Sequence, residues 1–229
     1  MSKVQTINIA LIGYGFVGKT FHAPLIQSVD GLRLAVVSSR DEEKVKRDLP
    51  DVLVVATPEE AIQHPDIDVV VIASPNATHA PLATLALNAG KHVVVDKPFT
   101  LDMKEARDLI ALADEKQLLL SVFHNRRWDS DFLTVKALLN EGTLGEILFF
   151  ESHFDRFRPQ VRNRWREQAG PGSGIWYDLA PHLLDQAVNL FGLPVSMTVD
   201  MAQLRHGEQT TDNFHAVFSY PQRRIVLHG

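Results

Sequence analysis

The chain has 229 residues, of which 45% are hydrophobic and 22% charged, and this composition is typical of a globular protein with one large or two small domains. Its formal net charge of -5 and sequence pI of about 6.0 argue against nucleic acid as a main partner. The absence of cysteine excludes disulfides, thiolate metal sites and a cysteine nucleophile, and with neither a signal peptide nor a membrane span recognisable we expect a cytoplasmic protein.

The first predicted element is a strand that leads into a glycine-rich turn. Residues 7–12 are mostly apolar and are followed by Gly13-Tyr14-Gly15-Phe16-Val17-Gly18. In a dinucleotide-binding βαβ unit the first glycine makes the turn, the second lets backbone approach a pyrophosphate, and the third lets helix pack on strand. The following helix, predicted to end or kink at Pro24, would face the phosphates with its N-terminal N–H groups. We expect a bound dinucleotide, the alternative being an ordinary glycine turn.

The end of the second predicted strand, residues 32–37, bears on the choice of cofactor. It is followed by Ser38-Ser39-Arg40, about 20 residues past the last motif glycine, where NAD enzymes place a carboxylate on the ribose 2′-hydroxyl. Two hydroxyls and a guanidinium suit a 2′-phosphate better, which favours NADP over NAD. In the alternative interpretation Arg40 is a solvated residue before the helix 41–49, and Asp41 contacts the ribose.

Strands and helices alternate through the rest of the first half. Thr57-Pro58-Glu59-Glu60 has the pattern of a capping box, and the helix 103–116 is predicted to bury a stripe of Met103, Ala106, Ile110 and Ala113. Further strands are predicted at residues 52–56, 68–73, 92–95 and 118–123. Six strands alternating with helices predict a doubly wound parallel sheet over residues 1–123.

Two polar segments follow strands of this sheet at the edge where open α/β folds bind ligands. Ser74-Pro75-Asn76-Ala77-Thr78-His79 follows the fourth strand, and Asp96-Lys97-Pro98 follows the fifth. A lysine in this position points toward the crevice, although a lysine taken at random is usually only a solubilising charge.

The pattern changes at His124, and residues 124–229 predict an α+β domain. A helix over 131–140, closed by Gly142, and strands at 146–155, 196–203, 213–220 and 223–228 suggest a mostly antiparallel sheet. The irregular stretch 156–174 carries five arginines, three glycines and Trp165. The pattern is equally consistent with a solvated loop and with a mobile cover near an anionic ligand.

The last candidate residues lie on a helix predicted over 176–191. Asp178 and His182 are four residues apart, so both side chains lie on one face, and Asp185 extends that face. Such a pair can present a histidine to a substrate, but on spacing alone it is a common arrangement, and Asp185 is as well explained by a surface or interhelix hydrogen bond.

Taken together, the sequence resembles the Gfo/Idh/MocA oxidoreductases. The resemblance lies in five places that cover the chain in the family's order: GYGFVG at 13–18, SPNATHA at 74–80, DKP at 96–98, HNRRWD at 124–129 and GSGIWYDLAPHLLD at 172–185. It implies that Lys97 is the lysine of the family's Glu-Lys-Pro motif, here with Asp96 in place of glutamate. It also implies that Asp178 and His182 form the family's D-x-x-x-H pair.

The resemblance implies an NADP-binding domain over 1–123 and a substrate-binding domain over 124–229. The implied catalytic residues are Lys97, Asp178 and His182. The cofactor would contact Gly13, Gly15, Phe16, Val17, Gly18, Ser38, Ser39, Arg40, Ser74, Pro75, Asn76, His79, Asp96, Lys97 and Arg126, with Asn76, His79 and Arg126 along the nicotinamide side. No metal site is expected. NAD is the alternative cofactor, and a homo-oligomer through the second sheet is expected.

The implied reaction transfers a hydride between NADP and the secondary alcohol or carbonyl of a sugar, cyclitol or related polyol. His182 is suited to be the general base, oriented by Asp178, and Lys97 to stabilise the developing alkoxide. Family members usually continue beyond the strand-like run 223–229, so we expect the chain to be incomplete relative to the family. The alternatives are a dinucleotide-binding protein or fragment without turnover, and an oligomer subunit with a vestigial cofactor site.

Overall fold

The computed structural model describes residues 6–229, and this part of the chain divides after Phe123 into two compact units. Residues 1–5, the start of the predicted first domain, lie outside the described residues. No helix within residues 6–229 is both long enough and apolar enough to cross a membrane.

The first unit contains, within the described residues, a six-stranded parallel sheet in the order β3-β2-β1-β4-β5-β6. The strands are β1 (Ile7–Ile12), β2 (Leu32–Ser38), β3 (Leu53–Val55), β4 (Val69–Ile72), β5 (His92–Asp96) and β6 (Leu120–Phe123). The helices that alternate with them are α1 (Ala23–Ser28), α2 (Glu42–Asp48), α3 (Pro58–Gln63), α4 (His79–Asn88) and α5 (Met103–Glu115). The predicted doubly wound sheet is confirmed.

The central strand β1 explains why helices cover both faces of this sheet. Successive side chains of a strand point to opposite faces, and four consecutive residues of β1, from Ile9 to Ile12, are all buried. Ala10 and Ile12 pack into one hydrophobic cluster, whereas Ile9 and Leu11 pack into another. A strand that buries both faces needs a helical layer on each side.

Side-chain caps mark two of the helix starts, and of these the capping box before α3 was predicted. The Thr57 side chain accepts a hydrogen bond from the Glu60 N–H, and the Glu60 carboxylate reaches back to the Thr57 N–H, which completes the capping box before α3. Asp41 caps α2 by accepting from the Lys44 N–H at 3.0 Å. These caps satisfy N–H groups that have no partner inside the helix.

The segment after the glycine turn differs from the prediction. A π-helical turn, Gly18–His22, precedes α1, and Pro24 lies in the first turn of α1 rather than at its end. The Ala23 N–H still donates to the Gly18 carbonyl, so Pro24 lies inside a continuous helical run, directly after a π-helical turn that departs from the α-helical hydrogen-bond pattern a proline would break. Helical structure therefore continues to Ser28.

The predicted buried stripe of α5 is partly wrong. Met103 and Ile110 are exposed, whereas Leu109 and Ala113 are buried against the first hydrophobic cluster. The true stripe is rotated toward Leu109 and Leu112, because the sheet decides which side of the helix it covers, and an alanine-rich pattern leaves that choice open.

The second unit contains α6 (Ser130–Asn140) and α7 (Gly174–Phe191) and, among the described residues, a four-stranded sheet in the order β7-β10-β9-β8. Its strands are β7 (Phe149–His153), β8 (Ser196–Ala202), β9 (Asn213–Ser219) and β10 (Arg224–His228). The pairings β10 with β9 and β9 with β8 are antiparallel, as predicted, and β7 pairs in parallel with β10. The strand predicted over 146–155 is shorter, because only the residues aligned with β10 find ladder partners.

The core of this unit lies between α7 and one face of the sheet. Leu179, Leu183 and Ala187 of α7 pack against Phe214 and Phe218 of β9, and further contacts come from Ile225 and Leu227. This packing fixes the orientation of α7, and therefore the direction in which Asp178 and His182 point.

Candidate functional site

The three motif glycines of the turn after β1 are placed for different steric reasons. Gly13 has a φ of 96°, and a Cβ there would lie 2.5 Å from the Ala73 carbonyl oxygen. A Cβ on Gly18 would lie 2.2 Å from the Gly13 oxygen, so the turn packs closely on the helix start. A Cβ on Gly15 would meet nothing within 4 Å. The protein itself needs glycine at 13 and 18, whereas the space above Gly15 is open.

The turn lies at the point where the strand order of the sheet reverses. β1 is flanked by β2 and β4, and the chain proceeds outward from it in both directions. The Gly13 N–H donates to the Ser38 carbonyl at 3.1 Å, and the Ala73 N–H donates to the Ile12 carbonyl at 2.8 Å. The structure therefore brings the turn, the end of β2 and the segment after β4 together at the carboxyl edge, where open α/β sheets bind dinucleotides.

At the end of β2, the Asp41 side chain is engaged by other residues of the protein, whereas the Arg40 side chain is available to bind a ligand. The Asp41 carboxylate caps α2, and the Ser39 hydroxyl exchanges hydrogen bonds with the Asp41 backbone at 3.1 and 3.2 Å. Arg40 is exposed and has no hydrogen-bond or salt-bridge partner among residues 6–229. Ser38 is buried. The free charged group at this position is thus the guanidinium and not the carboxylate.

His79 links the segments that follow β4 and β5. Its Nδ1 lies 2.7 Å from the Pro98 carbonyl oxygen and its Nε2 lies 3.0 Å from the Ser74 carbonyl oxygen, and the residue is 1% exposed. Both ring nitrogens therefore face the protein's own backbone, one on each of the two segments. Its predicted place along the nicotinamide stays a prediction.

Lys97 and Asp96 follow directly on β5. The Lys97 N–H donates to the Asp96 carboxylate at 2.8 Å, the Lys97–Pro98 peptide bond is cis, and Lys97 is half-buried. Because β5 pairs with β4, the end of β5 lies beside the end of β4, where the neighbouring Asn76 is also buried. The DKP and SPN segments are therefore neighbours, as the parallel topology requires.

In the second unit, α7 presents the predicted D-x-x-x-H pair. His182 is 7% exposed, and the Phe154 ring lies 6.4 Å from its imidazole between centroids. Asp178 is half-buried, with its Oδ1 3.5 Å from Arg166 Nε. Arg126 forms a salt bridge of 2.7 Å with Asp129 and lies 5.1 Å above the Phe154 ring. Its predicted contact with the nicotinamide is untested by this arrangement.

Asp185 has the structural role that the sequence left open. Its carboxylate accepts two hydrogen bonds from Arg127, at 2.6 and 2.7 Å, which tie the segment 125–128 to α7. This bidentate contact raises the pKa of Arg127, through the hydrogen bond first, against a smaller opposing effect of burial.

Sequence reasoning missed the charged framework of the arginine-rich stretch, which consists of buried Glu167 and the arginines around it. Glu167 is 5% exposed and accepts from the Arg162 N–H at 2.5 Å and from Arg164 Nε at 2.7 Å. Although burial raises the pKa of Glu167, these hydrogen bonds and the charges of Arg164 and Arg205 hold it below its usual value. The available signal was that Glu167 is the one acidic residue among the five arginines of the stretch 156–174, a pattern that favours a paired carboxylate over a solvated loop.

A cavity of about 80 Å³ lies within the second unit, against this framework. Its wall is formed by the arginine-rich stretch, by the first turns of α7 including Asp178, and by the residues that precede β9. The stretch 156–174 is thus one wall of a built cavity.

A second group missed by the sequence lies at the ends of β7 and β10. His153, Asp155 and His228 each place one potential metal ligand atom within 4.8 Å of the others. Asp155 is hydrogen-bonded by both histidines, at 3.3 and 2.5 Å, and although burial raises its pKa these contacts lower it. Only the strand register brings these residues together, so their spacing in the sequence carries no signal.

The fold and the glycine turn define a protein with a dinucleotide-binding Rossmann domain followed by an α+β domain. A family model described as an oxidoreductase family with an NAD-binding Rossmann fold matches residues 7–124, and the Gfo/Idh/MocA C-terminal domain matches residues 132–228. The chain belongs to the Gfo/Idh/MocA oxidoreductase family.

Similar proteins share both units but are longer. The oxidoreductase YdgJ of Escherichia coli K12 is 69% identical over 98% of this chain and 65% of its own length. The scyllo-inositol 2-dehydrogenase (NADP(+)) IolW of Bacillus subtilis is 41% identical over 99% of this chain and 63% of its own. A solved oxidoreductase from Klebsiella pneumoniae has a TM-score of 0.90 at 67% identity, over 98% of this chain and 62% of that one. The chain therefore spans slightly less than two thirds of the length of these relatives.

Proposed function

We propose that the chain carries the cofactor and catalytic residues of an NADP-dependent oxidoreductase that acts on the secondary alcohol or carbonyl of a sugar, cyclitol or related polyol. The observation that carries this proposal is the glycine turn at the point of strand reversal, in which Gly13 and Gly18 are required by close packing and Gly15 faces open space. A glycine that the protein does not need for its own packing is explained by a ligand whose phosphates approach the backbone there.

The preference for NADP is supported by the end of β2. Arg40 has no partner among residues 6–229, whereas the alternative ribose ligand Asp41 is already engaged as a helix cap. A free guanidinium forms charge-assisted hydrogen bonds with a 2′-phosphate, whereas a 2′-hydroxyl offers it no opposite charge. The relative that is 41% identical carries NADP(+) in its name, which agrees with this choice.

Three side chains have separate roles in the proposed hydride transfer. When bound, the nicotinamide accepts or supplies the hydride. His182 accepts the hydroxyl proton of the alcohol and returns it when the carbonyl is reduced. Asp178 orients the imidazole, and Lys97 donates a hydrogen bond to the same oxygen and stabilises its developing negative charge.

The choice of substrate class is supported by two relatives named for inositol, at 41% and 31% identity. The rest of the proposed cofactor site comprises Ser74, Pro75 and Asn76 after β4, together with Asp96, Phe16, Val17, Ser38, Ser39 and Arg126. Pairing of subunits through the second sheet and a cytoplasmic location stay predictions.

Cofactor binding and turnover are to be measured on the same sample. NADPH fluorescence titration gives the affinity, and NADP reduction with a panel of neutral and acidic sugars, cyclitols and polyols gives the activity. We expect His182→Ala to lose turnover by at least about a hundredfold, the usual contribution of a general base, with NADPH affinity unchanged. His206→Ala, at an exposed histidine of the same unit, is the matched control.

Two outcomes contradict the proposal. Binding of NADPH without turnover of any neutral or acidic compound of the panel supports a dinucleotide-binding protein, and retained activity in His182→Ala removes this residue from the chemistry. The choice of cofactor is tested separately with Arg40→Ala. An unchanged ratio of NADP to NAD affinity in that variant assigns the 2′-phosphate to another group.

A further inference from the structure

The cavity of the second unit is too small for a whole substrate and is strongly charged. Its volume of about 80 Å³ is well below the roughly 300–1,000 Å³ of pockets that enclose a complete ligand. It holds one compact group of a larger molecule. Because Asp178 is part of its wall, that group belongs to a ligand that reaches the helix carrying the proposed catalytic pair.

Positive charge exceeds negative charge in the wall. The wall contains Arg156, Arg158, Arg164, Arg166 and Arg205. Its acidic residues are Glu167, Asp178 and Asp212. These wall residues carry five guanidinium groups and three carboxylates, and Glu208, which pairs with Arg205, adds a fourth carboxylate beside the wall, so the excess is one to two positive charges.

The pairing within the wall shows which arginines carry this excess. Arg164 binds Glu167 at 2.6 Å, and Arg205 binds Asp212 at 3.0 Å and also Glu208. Arg166 lies 3.5 Å from Asp178. In contrast, the side chains of Arg156 and Arg158 have no hydrogen-bond or salt-bridge partner within residues 6–229.

Hydrogen bonds to the backbone hold Arg158 beside like charges. Arg205 Nη1 donates to the Arg158 carbonyl at 3.1 Å, and buried Glu167 fixes the Arg162 backbone nearby. Burial lowers the pKa of Arg158, and the positive charges of Arg156, Arg164 and Arg162 lower it further, against a smaller opposing effect of the Asp178 carboxylate. An anion in the cavity relieves this repulsion, and it finds the guanidinium groups already positioned.

We propose that Arg156 and Arg158 bind a carboxylate or phosphate group of the substrate, so that the protein acts on an acidic sugar derivative rather than on a neutral polyol. The identification of the bound anion as part of the substrate rests on the proposed function. Carboxylate and phosphate share the planar or clustered oxygens that the guanidinium fork recognises. Two unpaired arginines are not needed to hold a neutral cyclitol.

Calorimetric titration of the full chain without cofactor measures anion binding to the cavity independently of turnover. The probes are D-gluconate for the carboxylate, glucose 6-phosphate for the phosphate, and myo-inositol as the neutral comparison. We expect one or both anions to bind, more weakly as salt is added, and at least about tenfold more tightly than myo-inositol. Whichever anion binds more tightly identifies the group that the cavity takes.

Matched charge removals locate the interaction. Arg158→Gln and Arg156→Gln should each weaken the binding of the anion at least about tenfold, as the loss of a hydrogen bond to a charged group does. Arg107→Gln, at an exposed arginine of α5, removes the same charge and should leave the affinity unchanged. Circular dichroism of all three variants verifies the fold, and Arg158→Lys should recover part of the affinity.

The results separate this inference from the proposed function. Equal binding of myo-inositol and the anions overturns it, and so does an unchanged anion affinity in both glutamine variants. If the chain reduces NADP with neutral polyols and binds no anion, the proposed function stands and the inference fails. If the anions bind through these arginines but no compound supports turnover, the anion site stands and the proposed reaction fails.

Discussion

The motif glycines offer a test that separates a ligand requirement from a folding requirement. Alanine at position 15 adds a methyl group that meets no protein atom within 4 Å, and Gly15 does not have a positive φ. Alanine at position 18 places the same methyl 2.2 Å from the Gly13 carbonyl oxygen. The two substitutions are chemically identical, so any difference between them comes from what lies next to each Cβ.

The structure gives the size of each effect. Gly15→Ala should leave the free energy of unfolding unchanged or raise it by up to about 1 kcal/mol, because alanine reduces the entropy of the unfolded chain. Gly18→Ala should lower it by about 1–3 kcal/mol, since backbone has to move to relieve the overlap. For a chain of this length, each kcal/mol shifts the melting temperature by roughly 2–4 °C.

Cofactor affinity should respond in the opposite order. If a pyrophosphate lies against Gly15, the methyl group displaces it and removes at least one hydrogen bond to a charged group, about 1.5–3 kcal/mol. This corresponds to a rise in the NADPH dissociation constant of about 10- to 150-fold. NADPH fluorescence titration measures the affinity, and thermal unfolding followed by circular dichroism measures the stability.

Gly170→Ala is the matched control, because a Cβ there also meets nothing within 4 Å and the residue lies in the second unit. It should leave the NADPH affinity unchanged and, like Gly15→Ala, should not lower the stability. The reasoning is refuted if Gly15→Ala binds NADPH as tightly as the unmodified chain. It is also refuted if Gly15→Ala loses as much stability as Gly18→Ala.

Three further predictions concern stability. His22 is 3% exposed, and burial lowers its pKa to about 4, below the 6.5 expected in the unfolded chain. Its contribution to the free energy of unfolding is therefore complete above about pH 6.5 and is lost as the pH falls toward 4. Urea unfolding at pH 7 and pH 5 should show about 2 kcal/mol less acid destabilisation in His22→Phe than in the unmodified chain, and equal destabilisation in the two would contradict the burial argument. Asp185→Asn should cost about 1 kcal/mol, since Arg127 is half-exposed and solvent weakens the bidentate pair, and an unchanged urea midpoint would show that the pair contributes nothing. Thr57→Ala should cost about 1 kcal/mol by removing the cap of α3, whereas Thr57→Ser keeps the hydroxyl and should cost little; calorimetric melting that fails to distinguish the two variants would assign the cap no role.

Local features were predicted well because their causes lie within a few residues. The capping box at Thr57 and the turn at Gly13 depend on side chains and φ angles that the sequence specifies directly. The alternation of apolar strands with helices was also sufficient to predict the doubly wound sheet, since parallel strands need crossover helices. The family resemblance added the candidate catalytic residues, which spacing alone could not assign.

Features that depend on which element faces which were predicted less well. The buried stripe of α5 was placed on Met103 and Ile110, and the packing of the helix instead buries Leu109. The strand predicted over 146–155 is cut to the residues that β10 can pair. In both cases periodicity gives a set of candidate faces or lengths, and contacts with a distant element select one.

The sequence alone determined that this protein has a parallel nucleotide-binding sheet followed by an α+β unit, because periodicity, glycine positions and helix caps act over short distances. Only the tertiary structure decided that Gly15 faces open space while Gly18 does not, that Asp185 binds Arg127, and that Arg156 and Arg158 line a cavity with no side-chain partner among residues 6–229. Charge pairing and steric clearance are properties of residues far apart in the chain, so they exist only once folding has brought those residues within a few ångströms.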